Sequence, residues 1–202
     1  MRRRFLLVGI TAACLIASPA LSADKKDWVE PPAKLPHAQR GDPTRNLDFL
    51  FEALKIAPDD ATAKQIEQRI WATWFVSPSD TANLLMGRVR TAIEAKDADL
   101  SLKLLNALIK IRPDYIEAWN RRATVYFMKN EYGKSLADIH EVLKREPRHF
   151  GALSGLGMIL QELGEDRRAL EAYRRALAVY PRIERIPETV KTLQEKVEGR
   201  DI

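Results

Sequence analysis

Pro113, Pro147 and Pro181 recur at an interval of 34 residues, and that interval constrains the fold more than any other feature of this 202-residue chain. A fixed period of this size marks a stack of like units, each too small to bury its own apolar face. Cut at 82–115, 116–149 and 150–183, the three blocks carry the same residue types at the same offsets. In the middle block Trp119 is followed by Ala123, Tyr126, Ser135, Ile139 and Pro147. The last block holds Leu153, Leu156-Gly157, Leu160, Ala169, Tyr173 and Pro181 at these slots, and the first holds Leu85, Val89, Ala92, Ser101, Leu105 and Pro113. Apolar residues at helical spacing predict helix hairpins. Small residues at Ala123 or Gly157, facing Ser135 or Ala169, let the two helices of a hairpin approach closely, and each proline stops the second helix.

The flanks follow the helical pattern but not the period. "TRNLDFLFEALKIAP" predicts a helix ending at Pro58 with Leu47, Leu50, Ala53 and Leu54 as its buried stripe. A second helix is expected from about Asp60 to Val76, carrying Ile66, Ile70, Trp71, Trp74 and Phe75, before "SPSD" at 77–80 breaks the chain and caps the next helix. Residues 44–79 therefore read as an atypical terminal repeat. At the other end, residues 184–202 predict a capping helix from about Pro187 to Glu198, whose narrow stripe is Val190, Leu193 and Val197.

The N-terminus reads as a segment removed from the mature chain. Arg2, Arg3 and Arg4 precede an apolar run from Phe5 to Ala17, followed by "SPALSA". That is the pattern of a secretory signal peptide over residues 1–23, too short for a transmembrane helix. Ala20-Leu21-Ser22 fits the small-x-small cleavage rule best, with cleavage after Ala23 close behind it. The expected location is the periplasm. Lipidation of Cys14 is disfavoured, because Thr11-Ala12-Ala13 lacks the usual leucine and the apolar run continues past the cysteine. Residues 24–43, with Pro31, Pro32, Pro36 and Pro43, predict an extended tether. The formal charge of +5 falls to +2 once Arg2, Arg3 and Arg4 are removed, a weak basis for nucleic-acid binding.

The spaced residues resemble the tetratricopeptide repeat (TPR) family, whose pattern is W-x2-L-G-x2-Y, then A-x3-F, then P, over 34 residues. Three tandem copies cover about half the chain. The resemblance implies an all-α, short right-handed TPR solenoid of antiparallel helix hairpins with a C-terminal capping helix. It also implies a concave groove lined by the first helix of each hairpin. By phase, the groove-facing positions are Asn83, Met86, Gly87 and Arg90 in the first block. They are Glu117, Asn120, Arg121 and Thr124 in the second, and Gly151, Ser154, Gly155 and Met158 in the third. Asn83, Arg90, Asn120, Arg121, Thr124 and Met158 are the candidate partner-binding residues, suited to an extended peptide or chain terminus with some negative charge. The carboxylate clamp of chaperone-binding TPR proteins is not reproduced: its slots hold Met86 and Arg90, then Asn120 and Thr124.

Candidate catalytic chemistry is sparse. His37 falls in the tether, His140 on a solvent-facing helix side and His149 in a turn, none at metal-ligand spacing. No nucleophile motif or phosphate-cradling loop is present, and the glycines of "GALSGLG" fall where repeat helices pack. Neither a cofactor nor enzymatic activity is expected. The resemblance to small exported TPR proteins of Gram-negative bacteria implies a non-enzymatic module that binds a protein or peptide, supporting envelope integrity or host interaction. The alternative is an assembly factor or chaperone for one client, such as a c-type cytochrome or the outer-membrane machinery.

Within "EAWNRRATVYF", Trp119, Ala123, Tyr126 and Phe127 form the expected apolar face, and the phase separates the two arginines. Arg121 faces the groove. Arg122 takes a slot where the family has leucine, so it points into the hairpin and needs a partner. Asp138, sixteen residues on, is the predicted one. The same slots hold Leu156 and Ala172 in the third block, an apolar solution, but Arg88 and Leu104 in the first, so the rule is not general.

Overall fold

The computed structural model describes residues 43–199, with side chains from Leu47 onward. The signal-peptide reading, Cys14, His37 and all but the last residue of the tether lie outside the described residues. Nine helices and no strand occur among those described: α1 (Pro43–Lys55), α2 (Asp60–Phe75), α3 (Asp80–Glu94), α4 (Ala98–Ile111), α5 (Ile116–Met128), α6 (Tyr132–Arg145), α7 (Phe150–Glu162), α8 (Asp166–Val179) and α9 (Ile186–Glu198). Helices α3–α4, α5–α6 and α7–α8 pair as hairpins, and α4 on α5 and α6 on α7 join them into a solenoid.

Each hairpin turn is built the same way. The chain leaves the first helix through a left-handed residue at Lys96, Asn130 and Gly164, with φ of 58°, 58° and 74°. The next amide then reaches back to the first helix: Asp97 to Ala92, Glu131 to Tyr126 and Glu165 to Leu160. That hydrogen-bond pattern satisfies carbonyls which an ending helix leaves orphaned. Asp59, Ser79 and Asp97 cap the starts of α2, α3 and α4 with their side chains.

Packing inside the hairpins follows the expected slots. Ser101, Leu105, Ala123, Ser135, Ile139, Leu156, Gly157, Ala169 and Tyr173 are buried. A Cβ on Gly157 would lie 2.5 Å from the Tyr173 ring, which is the close approach that position needs. Trp119, Tyr126 and Phe127 are half-buried rather than buried, because they cover the seams between helices instead of filling a hairpin centre. At the C-terminal end α9 packs on α8 with Leu193 buried and Val190 and Val197 half-buried.

The N-terminal pair departs from the expected repeat. Helices α1 and α2 do not continue the stack ahead of α3. They fold back along the edge formed by the starts of α5 and α7 and the end of α8. Helix α2 begins beside the third repeat, where Arg182 donates to the carbonyls of Ala57 (3.0 Å) and Pro58 (2.7 Å) and to Asp60 (2.8 Å). It ends beside the start of α5, where the hydroxyl of Tyr115, the residue just before that helix, donates to the Phe75 carbonyl. Its Trp71 and Trp74 join Leu47, Leu50, Phe51 and Leu54 of α1 in one core with Phe150 and Tyr180, while Phe75 packs on the first repeat's core. Ala53, expected in the stripe, is only half-buried; Phe51 takes that place beneath the Arg148 guanidinium, 4.3 Å from the ring centroid. Helix α2 stops at Phe75, and Val76 is exposed.

Candidate functional site

The second repeat carries most of the polar chemistry. Glu117, in the first turn of α5, is fully buried. Its carboxylate accepts from Asn120 Nδ2 (3.0 Å) and Arg121 Nε (2.7 Å), and His149 Nε2 lies 3.4 Å away. His149 is equally buried and caps α7: its Nδ1 accepts from the Ala152 amide at 3.0 Å. That bond leaves the ring proton on Nε2, facing Glu117. Trp74 of α2 stacks on the imidazole, with centroids 4.0 Å apart and planes at 10°. Glu117 and His149, both fully buried and 3.4 Å apart, hold the starts of α5 and α7 together. Among the described residues, no group of three or more His, Cys, Asp or Glu is placed to hold a metal ion. No described helix is long and apolar enough to cross a membrane.

Two chambers open on the groove side. One, of about 200 Å³, lies between α5 and α7, lined by Asn120, Thr124, Gly155 and Met158 over Phe127, Ile139 and Ile159. The other, of about 280 Å³, lies between α3 and α5, lined by Met86, Val89, Arg90, Ile93, Glu94 and Arg121, with Phe75 from α2 as a further wall. Five of the six candidate groove residues therefore line chambers. Arg90 and Arg121 serve the first repeat's chamber, and Asn120, Thr124 and Met158 serve the next. Asn83 does not join them. Its side chain accepts from the Ser77 amide (2.9 Å) and donates to the Ser77 carbonyl (2.8 Å), so it pins the α2–α3 link. Asn120 lines its chamber but is buried and spends its amide on Glu117. Thr124 is exposed, and Met158 is 45% exposed.

The neighbouring arginine has a different role. Arg122 Nε and Nη2 donate to the two carboxylate oxygens of Asp138 at 2.8 and 2.7 Å, a bidentate pair across α5 and α6. Its Nη1 donates to Asn106 of α4 at 2.7 Å, so one side chain ties repeat one to repeat two. The bond to Asp138 raises the guanidinium pKa, and the guanidinium also lies 5.0 Å from the Trp119 ring centroid. Burial, with Glu117 nearby, pushes the Tyr115 phenol up to about 12.

The spacing pattern passed over two contributors. Phe75 and Trp71 lie outside the three 34-residue blocks, yet Phe75 walls a chamber and Trp71 lies against Gly151, where a Cβ would come within 2.8 Å of its ring. Glu117 was placed in the groove by phase but is sealed beneath α2. The available signal is the pair of tryptophans on a helix outside the 34-residue period.

A tetratricopeptide repeat family model matches residues 150–183, the third hairpin. A TPR repeat-containing protein from Rhizobium etli is 42% identical over 181 residues, spanning 90% of this chain and 86% of that protein. The small glutamine-rich tetratricopeptide repeat-containing protein 2 of Saccharomyces cerevisiae is 23% identical over 153 residues, 76% of this chain but 38% of that protein. Among solved structures, MamA superposes with a TM-score of 0.56 at 17% identity, covering 82% of this chain and 89% of that one. The Sgt2 TPR domain from Aspergillus fumigatus gives 0.54 at 19%, covering 60% and 82%. The structural likenesses match the hairpin stack, and the Rhizobium relative extends the match through nearly the whole chain: this protein belongs to the tetratricopeptide repeat family.

Proposed function

We propose that the chain is an exported, non-enzymatic module that binds an extended segment of a protein partner in its groove and supports the cell envelope. The observation that carries the binding step is the chamber between α5 and α7. Its floor is apolar (Phe127, Ile139, Ile159), its rim offers Thr124 and Ser154, and it stands open beside the exposed Met158. Apolar pockets along a groove with a sparse polar rim suit side chains of an extended peptide. Export rests on the Arg2–Arg4, Phe5–Ala17 and "SPALSA" pattern.

Arg121 is a poor probe of this groove, because changing it also strips Glu117 of a partner. Met158 is a better one. A photo-crosslinking amino acid at position 158 of the exported chain is expected to give a discrete adduct in the periplasm that Thr124→Trp abolishes. The same label at the exposed Lys144 is expected to give none. Identical adducts from both positions would overturn groove binding. Fractionation and N-terminal sequencing test export, with a mature start at Ala23 or Asp24 expected. Loss of one client in a deletion strain, without general detergent sensitivity, would favour the assembly-factor alternative.

A further inference from the structure

The chamber between α3 and α5 differs from its neighbour in carrying two cations with free donors. Among the described residues Arg90 makes no ion pair or hydrogen bond, and it is exposed. Arg121 is 31% exposed and spends only Nε, on Glu117; neither of its Nη atoms has a hydrogen-bond partner among the described residues. Its guanidinium is positioned on two sides, by Glu117 and by the Phe75 ring, 4.7 Å from the centroid. A cation fixed in place with its outer donors unspent loses little further entropy when it meets an anion. Glu117 cannot serve as that anion for Arg90, being buried against Arg121, Asn120 and His149. Glu94, on the same wall, forms no ion pair with either arginine. The unspent guanidinium donors, rather than a net charge of the wall, favour an incoming carboxylate.

Beneath the arginines the chamber is apolar, with Phe75, Met86, Val89 and Ile93 on its walls, and at about 280 Å³ it has room for a bulky side chain. We propose that this chamber takes a partner segment in which an aspartate or glutamate stands beside a large apolar residue, the carboxylate on Arg90 and Arg121 and the apolar side chain against Phe75. The site is not a property of the repeat, since Phe75 is supplied by the N-terminal hairpin. It rests on the groove function proposed above and specifies its partner.

The carboxylate belongs to an internal side chain rather than to a chain terminus. Asn120 and Arg121 are adjacent on α5, and each lines a different chamber. A segment that meets the arginines through a side chain can fill both chambers and continue in either direction, whereas one that ends there can reach both only by arriving from the α5–α7 side.

The test is selection of random dodecapeptides, displayed with their C-termini fused to the carrier, against the full mature chain. Enriched peptides are expected to carry Asp or Glu next to Leu, Ile, Met or Phe, with a second apolar residue further along. Synthesised with both ends blocked, these peptides are expected to lose about tenfold in affinity on Arg90→Gln, the scale of a charge-assisted hydrogen bond. They should also weaken as salt is raised. Arg90 is exposed and has no ion-pair or hydrogen-bond partner among the described residues, so Arg90→Gln is expected to leave the fold intact, which an unchanged melting temperature verifies. Thr124→Trp is expected to weaken the same peptides from the other chamber. Enriched peptides without an acid, sensitive to Thr124→Trp but indifferent to Arg90→Gln, would overturn this inference and leave groove binding standing. No enrichment from the fused library, with binding recovered from a second library whose peptides end in a free carboxylate, would overturn the internal-segment assignment. Peptides indifferent to both substitutions would overturn the inference and the groove together.

Discussion

The α5–α6 and α7–α8 hairpins descend from one pattern and solve its interior differently. In α5–α6 the central slots hold Arg122 and Asp138, joined by a bidentate ion pair with side chains 16% and 4% exposed. In α7–α8 the same slots hold Leu156 and Ala172, both buried. The helix–helix contact differs as well. Ala123 in the first hairpin corresponds to Gly157 in the second, and Ile139 corresponds to Tyr173. The smaller residue on one helix goes with the larger on the other, so each pair fills a similar space. A repeat pattern therefore specifies a volume and a direction at each slot, and pairs of residues settle the chemistry between them.

The largest expected effect comes from breaking the ion pair. Asp138→Ala leaves a largely buried guanidinium with only Asn106 as partner and is expected to cost about 3 kcal/mol in urea denaturation. The double change Arg122→Leu with Asp138→Ala copies the apolar solution of α7–α8. It is expected to recover most of that loss, because exchanging a whole buried pair for apolar residues is often neutral or better. A double variant no more stable than Asp138→Ala alone would show that the link from Arg122 to Asn106, between repeats, carries the pair's value.

Next in size is the close approach. Gly157→Ala sets a Cβ 2.5–2.7 Å from three atoms of the Tyr173 ring, so the helices must part or the ring must move. The expected cost is about 1–3 kcal/mol, the range for overpacking a filled core. Gly157→Ala together with Tyr173→Ile, which transplants the α5–α6 pair, is expected to recover part of it. Full recovery is not expected, because the Tyr173 hydroxyl donates to Gln161 at 2.7 Å and that bond is lost.

The slots of these two hairpins were legible in the sequence because their causes are local or one repeat away. Arg122 stood where the pattern wants leucine, and a buried cation demands an acid at the facing slot, sixteen residues on. The place of α1 and α2 was not legible. The stripe of Ile70, Trp71 and Trp74 announces burial but does not say against what. Its partners, Phe150 and Tyr180, sit at slots whose ordinary explanation is repeat packing. Arg148 and Arg182 each follow a repeat proline, and both grip this hairpin, Arg148 through Asp48 and Arg182 through Asp60. Those contacts span 100 and 122 residues, a separation at which no local periodicity carries information. The phase alone brings Thr124 and Met158 to the wall of a chamber. Near α2 it does not suffice: Asn83 bonds to Ser77 on the link after α2, and Glu117 is buried.

A pH dependence should separate the two hairpins. Burial pushes the Tyr173 phenol up to about 12, whereas its counterpart Ile139 does not titrate. The folded chain prefers the neutral phenol, and the unfolded chain ionises it near pH 10. The stability contributed is fully present below pH 10 and is lost as pH rises toward 12. By pH 11 the loss from this residue is about 1 kcal/mol. Tyr115 and Tyr180 are raised to about 12 in the same way, so the whole chain should weaken steeply in alkali. Urea midpoints at pH 8 and pH 11 are expected to fall less for Tyr173→Phe than for the unsubstituted chain. Equal falls would place the alkaline loss elsewhere.

The smallest effect tests the turns, where the two hairpins share a backbone and differ in side chain. Asn130 and Gly164 occupy the same left-handed position, at φ of 58° and 74°. Asparagine tolerates this region better than most residues, since its short polar side chain bonds locally; the Tyr132 hydroxyl donates to Asn130 Oδ1 at 3.2 Å. Asn130→Gly relieves the Cβ clash but frees the unfolded chain, so the two terms nearly cancel and the net change is expected within about 0.5 kcal/mol. Gly164→Ala sets the same terms against each other in reverse. Open space surrounds the position, so the strain of a left-handed alanine, about 1–2 kcal/mol, is offset only in part by the stiffer unfolded chain, and a net loss below about 1 kcal/mol is expected. The expected order of melting temperatures therefore places Asn130→Gly beside the unsubstituted chain and Gly164→Ala below it. If both variants melt together, the turn geometry is imposed by the packing of α5–α6 and α7–α8 rather than by the turn residue, and the two hairpins are more alike than their interiors suggest.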